Sequence, residues 1–163
     1  MNLAQRCRAI HLLCLDVDGV LTPGDVTYWP GGESKSFHVR DGTALKRWHQ
    51  AGHRSALVSG RRSPLLAVRA QETGIQTVIE GCEDKLAALE QLTRQLGLSP
   101  HQVCFIGDDL IDVKALLWCG LAVAVADGCV ESRAVAHYIT VAPGGQAAVR
   151  ETIERILRCQ GLW

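Results

Sequence analysis

The segment LDVDGVLTPG, residues 15–24, begins at the end of a short apolar run that starts at Leu12. This run has the length and composition of a buried strand, and two aspartates lie at or just beyond its end. Asp16 and Asp18 are two residues apart, so in an extended chain both carboxylates point the same way. Because ligands of open parallel sheets bind beyond the carboxyl ends of the strands, this segment predicts a polar site there.

Three further polar groups follow apolar runs later in the chain. They are Ser59-Gly60-Arg61, Lys85 at the start of a helix, and GDDLID at residues 107–112. Each group alone is also what a helix N-cap or a turn requires. Together they direct several carboxylates and one lysine at a common crevice, which is a much more specific pattern.

Apolar runs alternate with amphipathic stretches along the chain. The predicted strands are Leu12 to Asp16, Ser55 to Ser59, Thr77 to Ile79, Val103 to Ile106 and Leu121 to Val125. The predicted helices are Thr43 to Ala51, Ser63 to Gly74, Asp84 to Leu96, one starting at Ser99, one between the last two strands, and Ala147 to Cys159. Such alternation predicts a parallel sheet covered on both faces. The predicted fold class is α/β: a single Rossmann-like three-layer domain, residues 1–163, with a mostly parallel sheet.

One β-hairpin is predicted as an insertion after the first strand, at about residues 26–39. Val26 to Trp29 and Glu33 to Val39 flank the turn Pro30-Gly31-Gly32. The stretches on either side of Ser59 have room only for single helices and strands beside this hairpin. We therefore expect no cap domain over the crevice.

The composition excludes several classes of partner. Seventeen basic residues balance 17 acidic ones, so there is no electrostatic footprint for nucleic acid. No apolar run is long enough to cross a bilayer, so no membrane partner is expected. The first residues lead straight into the acidic segment without a small-residue cleavage site, and we interpret them as part of the first strand.

Seven scattered cysteines without a C-x-x-C pair predict reduced thiols in a cytoplasmic protein, and the dispersed histidines offer no zinc site.

The acidic residues of the crevice indicate a bound cation, because like charges at close range repel or raise each other's pKa values. Oxygen ligands in this number suit Mg²⁺. Lys85 and Ser59 would then hold phosphate oxygens, and the backbone amide of Gly60 or Gly19 would hold another. One aspartate of the first segment would attack phosphorus while the other acts as general acid and base, which predicts a phosphoryl-transfer site.

Several motifs resemble those of the haloacid dehalogenase-like phosphatases, and within them the 3-deoxy-D-manno-octulosonate 8-phosphate (KDO 8-phosphate) phosphatases. These motifs are LDVDGVLTPG at 15–24, FHVRDG at 37–42, SGRR at 59–62, DKL around Lys85, IGDDLID at 106–112 and GGQAAVRE at 144–151. The resemblance covers nearly the whole chain. It implies a Mg²⁺-dependent phosphomonoesterase that hydrolyses KDO 8-phosphate through an aspartyl-phosphate.

The resemblance also implies a role for each residue of the crevice. Asp16 would be the nucleophile and a magnesium ligand. Asp18 would be the general acid and base, and would bind the metal through its backbone carbonyl. Asp108 would complete the protein ligands, with Asp109 in support. The phosphoryl group would be held by Ser59 and Lys85, with Asp112 orienting Lys85.

Three arginines and a glycine would bind the rest of the substrate. The implied substrate-binding residues are Gly60, Arg61, Arg40 and Arg69. Arg40 could instead pair with Asp41 or Glu33, and Arg61 could be a solvated residue at a helix start.

The sequence departs from the resembling family at three places. Pro23 stands where an aspartate is usual, Gln146-Ala147 replaces a more usual Arg-Gly, and the chain stops at Trp163 without the longer tail of some relatives. We expect these departures to affect the substrate more than the chemistry.

Two other functions are compatible with this fold. One is a phosphotransferase for a different substrate, such as a phosphomutase or a phosphatase for a nonulosonate 9-phosphate. The other is a non-catalytic oligomerisation domain like that fused to acylneuraminate cytidylyltransferases, which often loses metal carboxylates. The complete set of carboxylates and Lys85 favours catalysis.

The hairpin predicts a homo-oligomer, and the resemblance implies a homotetramer, because hairpins of this kind assemble around a fourfold axis in that family. A lone two-stranded hairpin is marginal in water, and its Val26, Tyr28, Trp29 and Phe37 would be costly to leave exposed. Hairpins from several subunits could bury one another and complete neighbouring active sites. The alternative is that the hairpin folds back on its own domain.

Overall fold

Six parallel strands form the central sheet of the computed structural model, which describes residues 1–163. The strands of this sheet are β1 (Leu12–Leu15), β4 (Arg54–Val58), β5 (Thr77–Ile79), β6 (Val103–Gly107), β7 (Leu121–Ala124) and β8 (Tyr138–Ile139), and a hairpin contributes β2 (Thr27–Trp29) and β3 (Gly32–Ser34). The order in the sheet is β5-β4-β1-β6-β7-β8. The helices are α1 (Leu3–Ala9), α2 (Val39–Gln50), α3 (Pro64–Thr73), α4 (Lys85–Leu96), α5 (Val113–Trp118), α6 (Val130–Val135) and α7 (Ala148–Gln160).

Alternating side chains of the strands pack into two hydrophobic clusters, one on each face of the sheet. Leu13 and Leu15 of β1 belong to the cluster that includes Trp48 of α2 and Ile153 of α7. The intervening residues of β1 belong to the other cluster, beside buried residues of α4 and α5. Both faces are therefore covered, and the predicted three-layer α/β fold is confirmed.

The three central strands end together at one edge of the sheet. Leu15 is in register with Leu57 of β4 on one side and with Ile106 of β6 on the other. Because β1 lies between β4 and β6, the residues that follow these strands meet at a point where the chain order reverses. This is the position at which open α/β sheets bind ligands.

The N-terminal residues form a helix, contrary to the sequence-based interpretation. Leu3–Ala9 is helical, and strand β1 begins only at Leu12. Asn2 caps this helix at its N-terminus. The Asn2 side chain accepts a hydrogen bond from the Gln5 amide, and the Gln5 side chain accepts one from the Asn2 amide. This N-x-x-Q spacing is a capping signal that the apolar residues after it obscured.

Other boundaries also differ from the predictions. Helix α2 begins at Val39 rather than Thr43, and the hairpin strand β3 ends at Ser34 rather than Val39. The predicted helix start at Ser99 is a single 3-10 turn. Helix α6 and the two-residue strand β8 were not predicted, because both are short and the last strand is held mainly by its pairing with β7.

The predicted hairpin insertion is present in shortened form. Strands β2 and β3 pair only with each other, and the side chains at the tip are open to solvent, with Tyr28 67% and Trp29 50% exposed. None of the helices is long and apolar enough to span a membrane.

Candidate active site

Asp16 and Lys85 form a buried ion pair where β1 ends and α4 begins. The Lys85 ammonium lies 2.9 Å from Asp16 Oδ1, which also accepts from the Val17 amide at 2.7 Å. On its other side Lys85 donates to Asp112 Oδ1 at 2.6 Å. Burial opposes the charge of Lys85, but the two carboxylates more than offset this and raise its pKa. The lysine is therefore held as a cation at the strand ends.

Asp112 is completely buried, and both of its oxygens are occupied. Oδ1 accepts from Lys85, while Oδ2 accepts from the amides of Asp108 at 2.9 Å and Asp109 at 3.2 Å. A Cβ on Gly107 would lie 2.6 Å from the Cβ of Asp112, so only glycine allows this approach. Asp112 thereby connects the loop after β6 to the lysine.

Asp108 points its carboxyl group at Asp16. Its backbone carbonyl is fixed by the amide of Cys129 at 2.7 Å and by the Ser132 hydroxyl at 3.0 Å. Its Oδ1 is buried without a hydrogen-bond partner. A Cβ on Gly19 would lie 2.1 Å from Asp108 Oδ2, so the glycine of the DVDG motif makes room for this carboxylate.

This cluster carries more negative charge than its one lysine neutralises. Burial, followed by Asp16 and Asp112, raises the pKa of Asp108 to about 8. Burial raises the pKa of Asp16 to about 6 in spite of Lys85. Carboxylate oxygens of the three aspartates lie within 4.8 Å of one another. A divalent cation fits this arrangement, because it would neutralise the excess charge and give the free oxygen of Asp108 a partner.

Asp18 lies at the mouth of the cleft, where residues of the hairpin region reach it. Lys35 Nζ donates to Asp18 Oδ1, and the Lys35 side chain has no solvent exposure. Arg61 Nε is 3.7 Å from Asp18 Oδ2, and the same arginine donates to Tyr28 at 2.8 Å and to Glu33 at 3.1 Å. The base of the hairpin thus contacts the cleft of its own chain.

The sequence predictions omitted Glu33, Lys35 and Tyr28 from the site. A signal for two of them was present: Glu33 and Lys35 alternate with Ser34 and Ser36, the period expected of an extended segment with one covered face. The serines are exposed and the charged residues are partly covered.

Ser59 and Gly60 follow β4 and complete the cleft, which encloses about 140 Å³. The buried Ser59 hydroxyl accepts from the amide of Arg61 at 3.1 Å, so its proton remains available to an oxygen in the cleft. The lining consists of Asp16, Asp18, Ser59, Gly60, Arg61, Asp108, Asp109 and Ile111. The structure brings together seven of the predicted residues here, with Lys85 and Asp112 directly behind Asp16.

Arg40 and Arg69 do not line this cleft. Arg40 lines a separate and larger cavity of about 590 Å³ along α7, which none of the strand-end residues lines. Arg69 is buried, donates to Glu72 at 2.9 Å and to the carbonyl of His38 at 3.0 Å, and lies over the Phe37 ring. Within one chain the contacts of Arg69 anchor the segment between β3 and α2. The substrate contacts predicted for Arg40 and Arg69 remain predictions.

The loop that contains the departures from the expected motif packs on the catalytic segment. The Gly145 amide donates to the carbonyl of Val20 at 2.9 Å, and a Cβ on Gly145 would meet the nitrogen of Pro23 at 2.4 Å. Ala147 has a φ of 74° and is the only non-glycine residue in the left-handed region. Glycine would adopt this conformation without strain, whereas the Cβ of an alanine makes it unfavourable.

This fold, with three carboxylates and a lysine at the ends of parallel strands, defines a haloacid dehalogenase-like hydrolase, and the family model of that description matches residues 67–147. The 3-deoxy-D-manno-octulosonate 8-phosphate phosphatase of Yersinia pestis is 41% identical over 160 residues, which cover 98% of this chain and 86% of that protein. The chain therefore belongs to the KDO 8-phosphate phosphatase family, as its motifs predicted.

Two solved structures show the same relationship. The enzyme of that name from Moraxella catarrhalis, in complex with a magnesium ion, a phosphate ion and KDO, is 43% identical with a TM-score of 0.96, and the match covers 97% of this chain and 91% of that one. The cobalt-bound phosphatase from Haemophilus influenzae is 39% identical with a TM-score of 0.93, and the match covers 96% and 92%.

Proposed function

We propose that this protein is a Mg²⁺-dependent phosphomonoesterase that hydrolyses KDO 8-phosphate to KDO and phosphate through an aspartyl-phosphate on Asp16. The observation that carries this proposal is the buried Asp16–Lys85 pair with Asp108 beside it. Such a cluster offers a nucleophile, a fixed cation and an uncompensated metal-binding carboxylate in one cleft. The relatives' names and the KDO and phosphate bound to the Moraxella enzyme support the choice of substrate.

Asp16 is the proposed nucleophile. The Val17 amide and the Lys85 ammonium both contact Oδ1 of Asp16, which leaves Oδ2 for attack on phosphorus. As the new bond from Asp16 to phosphorus forms, the bond from phosphorus to the sugar oxygen breaks, and Asp18 donates a proton to the leaving oxygen. Asp18 then takes a proton from a water that attacks the aspartyl-phosphate, which releases phosphate and restores Asp16.

The remaining residues hold charge during these steps. Mg²⁺ would be held by Asp16, Asp108 and the backbone carbonyl of Asp18, with Asp109 nearby, and it would neutralise phosphate charge. Lys85 and Ser59 would bind phosphoryl oxygens, as would the amide of Gly60. Asp112 would keep Lys85 in place.

Arg61 is the substrate-binding arginine that lines the cleft. Its side chain is 42% exposed and tied to the hairpin, so it could pair with a carboxylate of the sugar acid. Arg40 and Arg69 are proposed to act on the substrate across an interface between chains. Neither a non-catalytic role nor another sugar acid is favoured, because the carboxylates are complete and the similar proteins from Yersinia pestis and Haemophilus influenzae are KDO 8-phosphate phosphatases by name.

We also propose a cytoplasmic homotetramer. The free cysteines suit a reducing compartment. The exposed Tyr28 and Trp29 at the hairpin tip offer apolar surface that neighbouring hairpins would bury. Light scattering at micromolar concentration would test this, and an active monomer would contradict it.

The function is tested by comparing kcat/KM for KDO 8-phosphate with that for glucose 6-phosphate, with Mg²⁺ present. We expect a clear preference for the sugar acid, loss of activity on chelation, and recovery with Mg²⁺ but little with Ca²⁺, whose looser shell misplaces the nucleophile. Equal kcat/KM for the two substrates would overturn the substrate, and full activity after exhaustive chelation would overturn the metal.

A further inference from the structure

We propose that Lys35 is a positioning residue that fixes the carboxyl group of Asp18 for proton transfer to the leaving group. This inference rests on the proposed function and adds a residue to it. The Lys35 side chain has no solvent exposure although it carries a charged group, and it donates a hydrogen bond to Asp18.

A fully covered ammonium group needs a fixed partner, because a buried charge without one is strongly unfavourable. Lys35 Nζ donates to Oδ1 of Asp18. Arg61 approaches the other oxygen, Oδ2, at 3.7 Å, which is beyond a direct hydrogen bond. Lys35 therefore holds one oxygen of Asp18 and leaves the other for the reacting groups.

The segment that carries Lys35 is anchored on both sides. On one side, Glu33 accepts from Arg61 at 3.1 Å, and the pKa of Glu33 is lowered by a hydrogen bond from Ser63 and by the charges of Lys35 and Arg61. On the other side, Phe37 packs beneath the guanidinium of Arg69, whose Cζ lies 5.0 Å from the centre of the Phe37 ring. The placement of the hairpin base therefore sets the placement of Asp18.

The consequence concerns one half of the reaction. A sugar alkoxide leaves poorly unless it is protonated, so its departure depends on a well-placed Asp18. Nitrophenolate leaves without a proton, so transfer of phosphate from p-nitrophenyl phosphate to Asp16 depends much less on this residue. The later attack of water on the aspartyl-phosphate uses Asp18 for both substrates, so the comparison is made on kcat/KM, which reports only the steps up to departure of the leaving group. A displaced Asp18 should therefore affect the two substrates unequally, whereas a general loss of structure should affect both alike.

The test compares Lys35→Met with wild type on KDO 8-phosphate and on p-nitrophenyl phosphate, both with Mg²⁺. We expect kcat/KM for the sugar phosphate to fall by roughly 10- to 100-fold, the size of a positioning or acid–base effect. We expect kcat/KM for the nitrophenyl ester to fall by less than about threefold. Lys114→Met, at an exposed lysine, serves as the matched control.

A second measurement covers the case in which Lys35→Met folds poorly. Lys35→Gln retains an N–H group that can donate to Asp18. It is compared with Asp18→Asn and with the double variant that carries both substitutions. If Lys35 acts through Asp18, its substitution adds little to the loss caused by Asp18→Asn, whereas independent effects would multiply. Equal losses on both substrates, or multiplicative losses in the double variant, would overturn the proposal.

Failure of this inference is distinguishable from failure of the proposed function. If wild type does not hydrolyse KDO 8-phosphate, the proposed substrate is wrong. The same ratio is then measured with whichever primary alkyl phosphate the wild type does hydrolyse, and it still decides the role of Lys35.

Discussion

Asp112 and Asp41 are both completely buried, yet they lie in two regions that hold a carboxylate differently. Asp112, at the catalytic edge of the sheet, accepts from Lys85 at 2.6 Å and from two backbone amides at 2.9 and 3.2 Å. Asp41, at the junction of α2 and α7, accepts from the Arg150 amide at 2.7 Å, and its Oδ2 has no partner. Burial raises the pKa of Asp41 to about 6, although the Arg150 amide opposes this.

This difference separates a site built to carry charge from a junction that caps a helix. At the strand ends, a lysine and a metal can offset buried carboxylates, so charge is retained where phosphoryl transfer needs it. At the junction, no lysine contacts Asp41, and the Arg150 amide together with the charges of His38 and Arg69 does not offset its burial, so the charge of Asp41 is a cost at neutral pH. The four predictions below test the contrast, beginning with the catalytic edge.

Asp16→Asn is expected to have the largest effect. Loss of the covalent nucleophile should lower kcat by at least about 10³-fold, with the fold intact by circular dichroism. Asp25→Asn, at an exposed aspartate, is the control and should leave kcat unchanged. If the Asp16 variant keeps more than a tenth of wild-type kcat, the barrier has changed by less than about 1.4 kcal/mol and Asp16 is not the nucleophile.

Asp112→Asn should weaken both activity and stability. The amide cannot satisfy Lys85 on one side and two N–H donors on the other, so a buried group loses its partner. We expect the free energy of unfolding to fall by about 3 kcal/mol in urea titrations, and kcat to fall by roughly 100-fold as Lys85 moves. Asp84→Asn, beside Lys85 at the N-cap of α4, is the matched control, because asparagine caps a helix equally well. An unchanged free energy of unfolding in Asp112→Asn would show that Asp16 alone is sufficient to stabilise the buried ammonium group of Lys85.

The catalytic edge was largely predictable from sequence, because its residues follow strands that short apolar runs reveal. Asp16, Ser59, Lys85 and Asp108 each stand directly after such a run or at the next helix start. The local pattern therefore sufficed to place them at one edge.

The hairpin contacts and the junction were less accessible. Lys35 reaches Asp18 across 17 residues, and Asp41 reaches the amide of Arg150 across 109, so neither contact leaves a local signal. The extended pattern of Glu33 to Phe37 indicated a covered face without saying what covers it. Helix α2 begins four residues before its predicted start. His38 caps this helix through its ring nitrogen, and histidine is not one of the usual capping residues, so the sequence pattern did not reveal the true start.

Asp41→Asn should change how stability depends on pH. In the folded state the pKa of Asp41 is raised from its usual 3.8 to about 6, so between these values the folded state binds a proton that the unfolded state has lost. Stability from this group is therefore full below about pH 4, falls as the pH rises to 6, and is level above that. The change corresponds to at most about 3 kcal/mol.

The asparagine variant lacks this slope. Relative to wild type, its free energy of unfolding should improve by up to about 3 kcal/mol between pH 4 and pH 7, measured by urea titration in saturating Mg²⁺. The Asp25→Asn control should run parallel to wild type. A variant curve parallel to wild type would mean that Asp41 stays ionised throughout, as a carboxylate satisfied by backbone amides would.

Ala147→Gly should have the smallest effect, and it should be stabilising. Ala147 sits at the N-cap of α7 with φ 74° and ψ 21°. A left-handed conformation costs a residue with a Cβ about 1–2 kcal/mol, which glycine avoids. Glycine loses roughly 0.5–1 kcal/mol more in conformational entropy on folding, so the net gain should be about 0.5–1 kcal/mol.

The control is Ala136→Gly, at a similarly half-buried alanine with φ −72°, where no strain exists and the entropic cost alone should destabilise the protein. Thermal unfolding should therefore move the two variants in opposite directions. If both variants are destabilised, the junction holds Ala147 without strain, and alanine has no stability cost at this position.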